Sequence, residues 1–394
     1  MLDYDSIYGF FRNIVPDGAE WLVFAITGFT LAFIVINVAT GITAFYTWFE
    51  RRALGRFQSR LGPNRWGPFG SLQPMADLLK LLTKEDTVPE TADRPVMTLA
   101  PILMAAPALV VFGLIPLGPD SFLGRVNVGL LFILGISSSH VLAIFMAGWG
   151  SRNKYAMFGA ERGVAMLLSY EVPMALALVG PVMLAGSISL LGIVNGQNVA
   201  YLFVQPTAFL VFVIAASAEM SRTPFDMIES ESELGAGYHT EFSGIKFGIF
   251  QLAEFMAPIV ASVIATVVFL GGTRGPDVIP GQVWFVAKAF SMVFLFLWVR
   301  ATWPRLRVDQ IMGFAWKGLF PLALLNMFLI ATEVVILQDS TGVVPTDELW
   351  IMAGVNWLVT ILAIIVAANV LGQRNLRPEE GVPSPLADMG AEAD

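Results

Sequence analysis

The chain of 394 residues has no cysteine and only two histidines, His140 and His239. Without thiols it can form no disulfide, thiolate nucleophile, Cys-held zinc or iron–sulfur cluster of its own. Two histidines in separate segments leave little for a haem or a histidine-rich metal centre, so no metal site is expected. Charge is scarce too: Asp, Glu, Lys and Arg make up 14% of the residues, against roughly 25% in an average soluble domain. The start "MLDYDSIYGFFRN" has no basic leader with a small-residue cleavage site, so no removable signal peptide is expected. A net charge of −8 speaks against nucleic acid as a partner.

What is present is apolar. Hydrophobic residues reach 56%, with a mean hydropathy of +0.70, which predicts an all-α polytopic membrane protein. A span needs about 20 apolar residues. Nine runs qualify: Glu20–Tyr46, Val96–Leu117, Val128–Trp149, Gly163–Leu184, Val199–Ala218, Phe247–Gly271, Val283–Ala301, Phe320–Leu337 and Leu349–Leu371. Pro107, Pro173, Pro181 and Pro258 lie inside runs, which membrane helices tolerate when neighbours satisfy the freed carbonyls. With the N-terminus outside, the cytoplasmic segments are 47–95, 150–162, 219–246, 302–319 and the tail after 371. With their immediate flanks these hold 19 of the 23 Lys and Arg residues, as the positive-inside rule requires. The expected organisation is one transmembrane domain, 1–371, with functional loops at 47–95 and 219–246 and a flexible cytoplasmic tail, 372–394.

Between the first two spans, Leu72, Met75, Ala76, Leu79 and Leu82 repeat at helical spacing. Asp77, Lys80 and Lys84 fall largely off that stripe. Two readings stand: an amphipathic helix lying in the membrane interface, or a short helix packed on the spans. Arg51, Arg52, Arg56, Arg60 and Arg65 serve as topogenic anchors on the plainest reading. That does not explain the Gly/Pro-rich loop 62–70 beside them, whose fixed turns suit a cavity mouth.

Carboxylates inside an apolar bundle are costly and usually face its interior or a cavity. Glu171 and Glu254 lie deep in the fourth and sixth predicted spans, and Glu219 closes the fifth. Taken singly, each is a tolerated, protonated or paired group; together they form a candidate proton relay. Glu333, in the eighth run, has no partner apparent from the sequence. The stretch "RTPFDMIESESELGAGYHTEFSG", 222–244, adds Asp226, Glu229, Glu231, Glu233 and Glu241, with Arg222 its only strong base. If several of these share one half-buried cavity, their titrations couple and respond to any charge placed beside them. The bland alternative, a solvated loop, does not call for Phe225, Met227, Leu234 and Tyr238 threaded through it. His140 and His239 are read as structural.

Four stretches, "ERRALGRFQSRLGPNRWGPFGSLQPMADLLK", "AERGVAMLLSYEV", "SRTPFDMIESESELGAGYHTEFSG" followed by "AEF", and "RATWPRLRVDQIM", together resemble the membrane heel subunit of respiratory complex I, the proton-translocating NADH:quinone oxidoreductase. They run from about residue 45 to residue 321, in the family's order. The resemblance implies a quinone substrate, ubiquinone or menaquinone, with no metal or flavin in this chain. It implies quinone-chamber or entrance positions at Glu50, Arg51, Arg60, Asp77, Arg300 and Arg305. It further implies proton coupling through Glu171, Glu219, Asp226, Glu229, Glu231, Glu233 and Glu254. The implied partners are membrane lipid, the peripheral-arm quinone-site and terminal iron–sulfur subunits, and the small and antiporter-like membrane subunits. The implied location is the bacterial plasma (inner) membrane. Met166 stands where the family often has Gln, and Ile228 where it often has Pro or Ala. The alternatives are the related membrane subunit of an energy-converting hydrogenase or ferredoxin-linked complex, a free-standing ion transporter, and a structural anchor.

Overall fold

The computed structural model describes residues 4–12, 19–116, 126–228, 231–276, 278–338 and 344–375, apart from the side chains of 4, 5, 231, 232 and 370–375. No strand occurs among them. Helix is the form that lets an apolar segment satisfy its own backbone in lipid. A short helix α1 (Tyr4–Arg12) leads into α2 (Glu20–Phe57), followed by α3 (Gln73–Thr83), α4 (Arg94–Leu114), α5 (Gly129–Ser137) and α6 (Ser139–Gly150). Then come α7 (Lys154–Ala185), α8 (Leu190–Gly196), α9 (Tyr201–Val204), α10 (Pro206–Glu219), α11 (Glu231–Leu234) and α12 (Gly244–Val268). The chain continues through α13 (Gly281–Thr302), α14 (Val308–Phe314), α15 (Phe320–Leu337) and α16 (Thr346–Asn375).

Among the described residues, eight helical segments are long and apolar enough to span a membrane. The chain is therefore an all-α polytopic membrane protein. The fifth expected span, Val199–Ala218, is different. Gln205 precedes Pro206, whose ring disfavours helical backbone in the residue before it, and Gln205 adopts φ −130°, ψ 64°. The run therefore splits into α9 and the 14-residue α10. At 1.5 Å per residue α10 reaches only about 21 Å, short of a ~30 Å hydrocarbon layer. The fourth span starts earlier than its apolar run. Asn153 caps α7 by accepting from the Tyr155 amide, 2.9 Å, and the helix continues unbroken through Pro173 and Pro181. The eighth begins earlier too, because α14 runs through one π turn at Ala315–Leu319 into α15.

Polar residues inside the bundle mostly bond back to their own helices. Thr43 donates to the Ala39 carbonyl, 2.7 Å, and Ser262 to the Pro258 carbonyl, 2.6 Å. The core lies between α4, α6, α7, α10, α12 and α15, filled by residues such as Met97, Ile144, Tyr170, Phe212 and Phe250. Helix α3 contributes no buried residue, and Leu72, Met75, Leu79 and Leu82 stay exposed, as an interfacial helix requires. Of the expected tail, 376–394 lies outside the described residues.

Candidate functional site

Ion pairs and hydrogen bonds draw the segments 47–95, 150–162, 219–246 and 302–319 together at one end of the bundle. Arg51 meets Asp77 at 2.5 Å, Arg162 meets Glu233 at 2.6 Å, Lys246 meets Asp86 at 2.9 Å and Arg305 meets Asp226 at 2.6 Å. Asn153 donates to Glu241, 2.7 Å, and the Ser243 hydroxyl to the Glu85 carbonyl, 3.0 Å. Close backbone approach makes this possible. A Cβ on Gly159 would come within 2.9 Å of Gly237, and one on Gly163 within 2.9 Å of Ile228. Ile228 is 1% exposed and plugs the contact between the 222–243 loop and α7.

Glu50 occupies the centre of this end. It is 2% exposed and pairs with two guanidinium groups, Arg222 at 2.6 Å and Arg300. Arg222 reaches further: one nitrogen also donates to the Tyr46 hydroxyl, 3.1 Å, and the other to the Glu254 carbonyl, 3.3 Å. Its cation lies 5.0 Å from the Phe255 ring centre and 5.7 Å from that of Tyr46, an arrangement that lowers the cost of desolvating it. The Glu254 carboxylate accepts from the Tyr238 hydroxyl, 2.9 Å, and from Gln251, 3.2 Å, with His239 Nε2 at 3.4 Å. Burial among Tyr238, Phe247 and Phe250 pushes the His239 imidazole from the usual 6.5 down to about 3, so it is neutral at physiological pH.

A second group lies inside the bundle. Glu171 on α7 and Glu219 at the end of α10 are within electrostatic reach of each other, with Ser138 beside Glu171 and Ser137 beside Glu219. Glu219 lines a cavity of about 80 Å³ between α4, α5, α6, α7, α10 and α12. No arginine or lysine pairs with either carboxylate among the described residues.

The structure thus brings Glu50, Arg300, Asp226 and Arg305 into one region with Glu254, and Arg51 onto Asp77. It leaves Arg60 apart, its Nε donating to Gln58 at 2.7 Å on the exposed surface. Among the described residues of the acidic stretch, Asp226, Glu233 and Glu241 each meet a different partner, and Glu233 is 54% exposed. Glu229 and the side chain of Glu231 lie outside the described residues. Glu333 has the partner that the sequence did not reveal: Asn356 on α16 donates to it at 2.9 Å. Arg222 is the functional candidate that sequence reasoning noted without giving a role. Its signal was its position as the lone base of an acidic stretch. His239, read as structural, touches Glu254, and no spacing in the sequence links the two.

A family model described as NADH dehydrogenase matches residues 29–331. The chain is 47% identical over 323 residues to the H-type subunit of NADH-quinone oxidoreductase from Dehalococcoides mccartyi (strain CBDB1), covering 82% of this chain and 90% of the relative. It is 49% identical to the second H-type subunit of NADH-quinone oxidoreductase from Geobacter sulfurreducens, over 77% of this chain and 95% of that one. With the corresponding protein of Bacillus cytotoxicus the identity is 44%, over 81% and 97%.

Proposed function

The chain belongs to the NADH dehydrogenase family, as a subunit of NADH-quinone oxidoreductase, and on that premise we propose that it walls the membrane part of the quinone chamber and couples quinone reduction to proton translocation. The redox centres belong to partner subunits of the peripheral arm, and the substrate is ubiquinone or menaquinone. The charged end faces the cytoplasm of a bacterial inner membrane, and the N-terminus lies outside.

One observation carries this reading: Arg222 bonds Glu50 with one nitrogen and the Glu254 backbone with the other. A change of charge at the mouth formed by Arg51, Asp77, Arg300 and Arg305 acts on Glu50 and, through Arg222, on the helix that carries Glu254. The 222–243 loop supplies Asp226 to Arg305 and both Tyr238 and His239 to Glu254. Reduction of a quinone beside this wall alters the local charge. The loop responds by shifting how Glu254, Glu219 and Glu171 hold their protons, in the sense of two sites coupled through one element with two arrangements. Exposed Glu233 joins the loop to α7 through Arg162 and serves to hold it.

The test replaces Glu171 or Glu254 with Gln in the assembled enzyme and measures protons moved per electron in proteoliposomes. Quinone reduction with lost or diminished pumping is expected. Normal assembly, reduction and pumping together would overturn the relay.

A further inference from the structure

The cavity at Glu219 has a wall that is almost wholly apolar. Of its twenty lining residues only Ser137, His140 and Glu219 carry polar side chains. The His140 Nε2 atom is buried and has no hydrogen-bond partner among the described residues. A buried imidazole nitrogen left unbonded is destabilising, so a partner is expected to satisfy it. The Ser137 hydroxyl has two acceptors in reach, the Leu134 carbonyl at 3.0 Å and the Glu219 carboxyl. The Glu219 carboxyl is the remaining group on the wall able to both give and take a proton. A water needs about 10–15 Å³ of such space and two to four polar partners. The cavity of about 80 Å³ offers the room, and these three side chains offer the partners.

We infer that His140 exchanges a proton with Glu219 through water held in this cavity, so that the imidazole is a second proton-holding group beside the carboxylates. This rests on the relay reading above. The step balances: the Glu219 O–H bond breaks as its proton passes to water, while that water delivers a proton to an imidazole nitrogen. Neutral acid and neutral imidazole become carboxylate and imidazolium, with no change in net charge. Both products stay within electrostatic reach of Glu171 on α7. No other ionisable group lines the cavity among the described residues. His140 touches no substrate; it acts by positioning and storing the proton of Glu219.

Four assembled enzymes test this: wild type, Glu219→Gln, His140→Gln and Ala257→Val. The glutamine keeps a hydrogen-bonding side chain but cannot be protonated, and the valine takes up cavity space from α12, a helix that carries none of the three polar groups. The readouts are protons per electron, quinone reduction in uncoupled membranes, and the redox-induced infrared band of a protonated carboxyl that Glu219→Gln removes. In His140→Gln and Ala257→Val, quinone reduction should persist, pumping should fall and the Glu219 band should shift. Unchanged pumping or an unmoved band in either variant overturns the inference while the relay stands. Normal pumping in Glu219→Gln overturns both.

Discussion

Glu50 and Glu219 are both acids drawn into an apolar bundle, and the protein treats them differently. Glu50 is shut in almost completely, with Arg222 and Arg300 against it and an aromatic bed beneath Arg222. Glu219 is half-buried on a cavity wall, beside another carboxylate and two serines, with no cation paired to it among the described residues. An ion cluster as closed as the first keeps one charge state, because removing any member leaves an uncompensated buried charge. The second group has no paired cation among the described residues, so a change in neighbouring field acts on its protons more readily. In the proposed coupling, the first site is thus the one that holds charge and the second the one that can change it.

The contrast is sharpest if Glu50 is neutralised. Glu50→Gln leaves two guanidinium groups facing each other, and a loss of about 3–5 kcal/mol is expected, read as failure of the complex to assemble or as a large fall in its melting temperature. The acid response of the 222–243 loop comes next. Above about pH 6.5 His239 is neutral whether the loop is closed or open. Below that value the open loop takes up a proton that the folded one refuses until about pH 3, so loop stability falls as pH drops through this window. Hydrogen exchange at 237–243, corrected for intrinsic rates, should be faster near pH 5 than near pH 7.5. His239→Gln should abolish that difference; an identical pH dependence in the variant would show that another group controls the loop.

A smaller effect is expected at Arg305, which pairs with Asp226 in a partly exposed setting, with side-chain exposures of 32% and 20%. Arg305→Met should cost about 1 kcal/mol or less, seen as modestly faster protease cleavage within 222–243. Smallest in stability is Glu219→Gln, expected within about 1 kcal/mol of wild type because no ion pair is lost. Its melting temperature should barely move while pumping falls. A collapse in stability there would make Glu219 a structural residue like Glu50 and erase the contrast.

Much of this was legible in the chain itself. Apolar run length located eight of the nine expected spans as single long helices, and the departures have local causes: Gln205–Pro206 splits the fifth run into α9 and α10, while Asn153 starts α7 ahead of its apolar stretch. Helical spacing around Leu72–Leu82 likewise located α3. Intramembrane position singled out Glu171, Glu219 and Glu254. What spacing does not encode is which distant group meets which: Arg222 with Glu50 is a contact across 172 positions, and Asp226 with Arg305 one across 79. The same limit hid Asn356 from Glu333 and Tyr238 from Glu254. Nor does spacing encode that Asp226, Glu233 and Glu241, the acids of that stretch whose side chains are described, meet three different partners.

The most direct check on the central claim is the redox-induced infrared difference spectrum of the assembled enzyme, recorded for wild type, Glu171→Gln and Glu219→Gln. The account expects a protonated-carboxyl band that appears or disappears with quinone reduction and is lost or shifted in both variants. The same carboxyl region unchanged in both would mean that these acids do not alter their protonation during turnover, contradicting the relay.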